Sequence, residues 1–92
     1  MRRLGWSRSA RRDLDEIARY YGQFSPELPD DLMRRVEAAP LLLLDNPEIG
    51  SPTRRARVRK WPVRRTPFIL LSTVVGVEVR IQRVVDARSD WA

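Results

Sequence analysis

The sequence predicts an α+β domain of order β-α-α-β-β-β, a helical hairpin packed on one face of a small antiparallel sheet. Three observations predict it. Apolar residues recur every three or four positions across residues 10–43, the stripe of amphipathic helices. From residue 58 onward the period falls to two or the apolar run becomes continuous, as in strands. Asn46, Pro47 and Gly50 stand between the two regimes and mark a turn.

Each element has its own local signal. Leu4-Gly5-Trp6 is a short apolar stretch that reads as a first strand. Ser7 or Ser9 offers an N-cap, and Ala10, Leu14, Ile17, Ala18 and Tyr21 form the apolar stripe of the first helix. Asp13, Asp15 and Glu16 read as a solvated first turn favoured by the helix dipole, and Gly22 as the stop. Ser25-Pro26 reads as an N-cap with proline at the first helical position. Leu28, Leu32, Val36 and Ala39 continue in steps of about four. Pro40 lacks the N–H that should reach the carbonyl of Val36, at a cost of about 3 kcal/mol, so a kink or break is expected there. Leu41 to Leu44 then form a separate final turn. Val58 to Val63 reads as a strand in which Pro62 marks an edge or bulge. Phe68 to Val75 is a nearly continuous apolar strand, and Val75-Gly76 a tight turn. Val77, Val79 and Ile81 alternate with polar residues as a half-buried strand. The alternation slips at Arg83-Val84, where a bulge would restore it.

Composition narrows the function. The 92 residues make one small domain, 1–92, with no cysteine and no histidine. Disulfides, thiolate metal sites, and the commonest metal ligand and general base are therefore excluded, and no cofactor is expected. No segment reaches the roughly 18 apolar residues of a membrane span, and MRRLGWSRSA has no apolar h-region. A cytoplasmic protein is the expectation. The net charge is +6, unevenly spread. Residues 1–50 hold eight basic and nine acidic residues, and residues 51–92 ten basic and three acidic. The strip PTRRARVRKW (52–61) is its densest part.

Several stretches together resemble the ParE branch of the RelE/ParE toxin superfamily, the toxin halves of bacterial type II toxin–antitoxin pairs. They are WSRSARRDLDEIARYY (6–21), SPELPDDLMRRVEAAPLLLLDNPEIG (25–50), RVRKWPV (57–63) and VEVRIQRVVDARSDW (77–91). Within them stand Ala10, Asp13, Leu14, Ile17 and Tyr20 of a helical pattern, Asn46, Pro47 and Gly50 of a turn, and Arg59, Pro62 and Val63 of a strand. The resemblance implies a protein ligand that binds DNA gyrase and traps it on broken DNA. It also implies neutralisation by a cognate antitoxin, whose acidic, amphipathic C-terminal segment folds over the toxin in a hetero-oligomer. The alternative, from the RelE branch, is a ribosome-dependent mRNA interferase. A third reading is a degenerate toxin that only binds its antitoxin. The departures are Ser72, where the family places tyrosine, and Asp86, where it places histidine. With no tyrosine after Tyr21, RNA cleavage lacks an obvious general acid or base, and no catalytic residue is assigned.

For target or antitoxin binding the candidates are Arg57, Arg59, Lys60, Trp61, Arg80, Arg83, Arg88 and Trp91. Arg59, Arg83 and Arg88 fall where the family pattern also places basic residues, and a meander would bring Arg59 near Arg83. A basic strip beside an apolar groove suits an acidic partner. Direct nucleic-acid contact ranks behind it, because such modules interleave aromatics and only Trp61 is at hand. One of Tyr20 and Tyr21 is expected to pack on the sheet.

Overall fold

A computed structural model describes residues 2–89. The chain runs β1 (Arg3–Trp6), α1 (Arg8–Gly22), α2 (Leu28–Ala38), α3 (Leu41–Asp45), β2 (Ser51–Pro52), β3 (Arg59–Pro62), β4 (Phe68–Val75) and β5 (Glu78–Asp86). The helices cover one face of a five-stranded sheet of order β1-β5-β4-β3-β2. The two-layer arrangement is the expected one. β2 to β5 pair antiparallel, while β1 lies parallel to β5, so the sheet is mixed. The parallel pair is possible because the three helices and β2 to β4 together form the long connection that parallel strands require.

Apolar burial between the layers holds them together. Ala10 from α1, Leu32 and Val36 from α2 and Leu43 from α3 meet Phe68 and Leu70 of β4 and Val79, Ile81 and Val84 of β5. Each large side chain fully buried there stabilises the fold by about 1.5–3 kcal/mol. Pro40 ends α2 at Ala38 and separates α3, as its missing N–H demands. The second helix starts later than Ser25-Pro26 implied. Glu27 is its N-cap, and a proline occupies its first turn. Gly22 does not stop α1, which includes it and is capped by Gln23. Ser25 Oγ instead accepts from the Glu27 N–H at 3.4 Å.

β2 has no counterpart in the sequence reading. It is two residues long, pairs only with Arg59 and Lys60, and leaves the Pro62 end of β3 as an open edge. Proline is tolerated there because no neighbouring strand needs its N–H. The β5 bulge lies one residue before the expected place. Leu71 faces Arg83 while Ser72 faces Ile81, so Gln82 is the extra residue. The insertion changes the parity of β5. Val79 and Ile81 face the helices before it, Val84 does so after it, and Val85 joins Leu71, Val58 and Ile69 on the opposite face. No described helix is long and apolar enough to cross a membrane.

Candidate functional site

Helix α1 is fastened to the β5 bulge at two points. Ser7, the N-cap, accepts from the Ala10 N–H at 3.0 Å and donates its hydroxyl to the Gln82 carbonyl at 2.7 Å. Its own N–H donates to the Ile81 carbonyl at 2.9 Å. Two turns on, Asp13 is buried. It accepts from Arg83 Nε at 2.7 Å, from Arg83 Nη2 at 3.0 Å and from the Val84 N–H at 2.9 Å. β1 ends at Trp6, opposite Ile81, so the Val84 N–H farther along β5 has no strand partner on that side, and Asp13 takes it. The bidentate contact also holds the Arg83 guanidinium above its ordinary pKa, through the hydrogen bond first and the opposite charge after it. The expectation that Asp13 is solvated is therefore wrong. Because α1 starts at Arg8, Asp13 falls past the first turn and onto the buried face. A signal existed, since Ala10, Asp13 and Ile17 keep steps of three and four. Asp13 interrupts an apolar stripe, which in a buried face calls for a partner.

The other candidate arginines of β5 are also paired. Arg80 donates to Glu78 at 2.7 Å. Arg88 donates from its backbone N–H, Nε and Nη2 to the Asp86 carboxylate at 2.7–2.9 Å. The Arg88 side-chain hydrogen bonds, with help from its N–H, lower the Asp86 pKa to about 2, and Arg88 is pushed up in turn. Arg59 does not meet Arg83. They flank β4 on opposite sides, against Ser72 and Leu71. Arg59 Nη1 donates to the carbonyls of Gly50 at 2.7 Å and Glu48 at 3.2 Å, tying the turn after α3 to β3. Trp91 lies outside the described residues. Tyr21 packs edge-on to Phe68 with ring centroids 5.8 Å apart, while Tyr20 stays exposed beside Phe24.

What remains unpaired is elsewhere. Between Glu48 and Glu78 there is no acidic residue, and seven basic ones stand in that segment. Among the described residues the side chains of Arg54, Arg55, Arg57, Arg64 and Arg65 meet no carboxylate. Arg64 and Arg65 flank a cleft of about 400 Å³ between α2, α3 and the β3–β4 loop. Its floor is Ala39, Leu42 and Trp61, with Arg35 on the far rim. Leu42 is 58% exposed, a large apolar side chain with nothing over it. Trp61, half-buried, packs its inner side on the core. Of the predicted binding residues, Trp61 lines this cleft, but its arginines were not singled out. Their signal was the unbroken lack of acids around them. Among the described residues no group of histidine, cysteine, aspartate or glutamate is placed to hold a metal.

The chain is similar to known proteins over nearly its whole length. Residues 4–91 match the family model described as ParE toxin of type II toxin-antitoxin system, parDE. No curated protein matches. A solved structure of the chromosomal ParDE TA system from P. aeruginosa superposes with a TM-score of 0.82 at 30% identity. The alignment covers 94% of this chain and 96% of that one.

Proposed function

The chain belongs to the ParE toxin family of type II toxin–antitoxin systems, and from that membership we propose that it binds DNA gyrase and holds it on cleaved DNA. A cognate antitoxin releases it. The observation that carries this reading is where the arginines are spent. Arg80, Arg83 and Arg88 are bound to carboxylates, and Arg59 to backbone carbonyls. A nuclease would need such groups free to stabilise a scissile phosphate, together with an acid or base to move the proton. The chain has no histidine, and its two tyrosines both lie on α1. This supports a toxin that acts as a protein ligand.

The cleft floored by Leu42 and Trp61 and rimmed by Arg64 and Arg65 is the place for the antitoxin. An acidic, amphipathic segment laid there buries its apolar side on Leu42 and Trp61. Its carboxylates meet two guanidiniums that have no partner of their own. Electrostatics speeds the encounter and apolar burial holds the complex. In this reading toxin and antitoxin form a hetero-oligomer.

The test uses purified chain, purified gyrase and supercoiled plasmid. Loss of supercoiling with accumulation of cleaved DNA, reversed by the antitoxin, is the expected result. Unchanged supercoiling with no gyrase bound removes gyrase as the target while leaving the family intact. Cleavage of ribosome-bound transcripts would move the chain to the interferase reading.

A further inference from the structure

We infer that the loop joining β2 to β3 binds the phosphate backbone of duplex DNA. This inference rests on the loop's charge and geometry, not on the gyrase reading. Arg54, Arg55 and Arg57 lie in four consecutive residues of an acid-free segment, and all three are exposed. The chain that carries them spans about 10 Å at most. Four arginines elsewhere (Arg35, Arg80, Arg83 and Arg88) are each neutralised by a carboxylate. These three are not, and no acidic residue between Glu48 and Glu78 offsets them.

The loop is braced rather than slack. The Thr53 hydroxyl donates towards the Val58 carbonyl at 2.9 Å and accepts from the Arg55 N–H at 3.1 Å. The Thr53 N–H donates to Val58 and the Val58 N–H to Arg55, both at 3.2 Å. Backbone groups are thus used inside the loop and guanidiniums are left pointing out of it. Arg57 is held at a φ of +66°, a left-handed conformation that glycine or asparagine adopts more easily. A long cationic side chain kept at a glycine-like position is the kind of local strain that accompanies a binding role. Pre-ordering of this sort lowers the entropy lost when an anion docks.

The surroundings select the ligand. Arg54, Arg55 and Lys60 rim a cleft of about 400 Å³ whose floor is Leu71 and Val58. Both floor residues are already buried, so neither is a free apolar anchor of the kind the exposed Leu42 provides. That separates it from the Leu42–Trp61 cleft. No aromatic residue lies between Ile49 and Lys60, so the bases of a single strand have nothing to stack on. Duplex DNA needs neither feature. It presents paired rows of phosphate at high charge density, and arginine meets phosphate bidentately.

The measurement is fluorescence anisotropy of the full chain with a labelled 20-base-pair duplex of arbitrary sequence, titrated between 50 and 200 mM salt. Three phosphate contacts give a log–log salt slope of about −3, with dissociation constants in the range of about 10⁻⁴ to 10⁻⁶ M. Arg54→Gln with Arg55→Gln should flatten the slope by about 2 and weaken binding at least tenfold. Arg57→Gly should flatten it by about 1 while thermal stability stays equal or rises, which shows that the variant is folded. Arg64→Gln with Arg65→Gln, the charge-matched control, should lose clearly less. Equal losses in the control would mean diffuse attraction and would overturn the loop assignment. Tighter binding of single-stranded nucleic acid or of polyglutamate than of duplex would overturn the choice of ligand.

Discussion

Removing the carboxylate of Asp13 tests the junction on which the helical layer is hung. Asp13→Ala deletes three hydrogen bonds at once. The Val84 N–H is buried and lies beyond the end of β1, so no strand supplies a new acceptor. An unsatisfied buried donor costs about 1–3 kcal/mol. Arg83 is different, because its side chain is 45% exposed against 10% for Asp13. Freed, it rehydrates, and its share is at most about 1 kcal/mol. The sum is about 1–4 kcal/mol, and in a domain of this size that lowers the midpoint of thermal unfolding by roughly 5–30 °C. Urea denaturation followed by circular dichroism measures it, alongside Arg83→Ala and the double variant. The double-mutant cycle should return a coupling of about 0.5–1 kcal/mol. An Asp13→Ala variant within about 0.5 kcal/mol of the parent would mean that the carboxylate is a solvated surface group and that it does not fasten α1 to β5.

Three further outcomes are expected. Asp86→Asn should be less stable than the parent above about pH 4 and converge with it near pH 2. Arg88 depresses the folded-state pKa of Asp86, so its contribution is complete above the unfolded value and fades as pH falls through about 2; stability curves from pH 2 to 7 check this. Gly76→Ala, at a φ of +60° with nothing within 4 Å, should cost about 1 kcal/mol by backbone strain alone, whereas Gly50→Ala, whose Cβ would lie 2.7 Å from the Lys60 carbonyl oxygen, should cost more because a strand must shift. Leu42→Asp, at an exposed position, should leave folding within about 0.5 kcal/mol and weaken antitoxin binding tenfold or more, read by calorimetry.

The elements were legible wherever local chemistry decides them. The Pro40 break, the Ser7 cap and the β4 apolar run each follow from a few neighbouring residues, and each is present. What hid from the sequence was long-range. The short apolar stretch Leu4-Gly5-Trp6 reads as a strand, but nothing in it says that the strand lies parallel to β5. Nothing near Asp13 names a partner 70 residues away. The left-handed Arg57 and Arg65 were invisible for another reason, since arginine carries no turn signal of the kind glycine or asparagine gives. The same gap affects the candidate site. The basic second half was plain from composition. Which of its guanidiniums are consumed internally, and which remain for a partner, emerged only when the acids of α1 and β5 were placed beside them.

The most direct test of the central claim is induced expression of the chain alone in a bacterium, with growth, the DNA-damage response and bulk protein synthesis followed together. The account predicts growth arrest with DNA damage while translation continues. Translation collapsing first, with transcripts cut, would contradict it in favour of a ribosome-dependent nuclease, and no arrest at all would contradict it in favour of a chain that only binds its antitoxin.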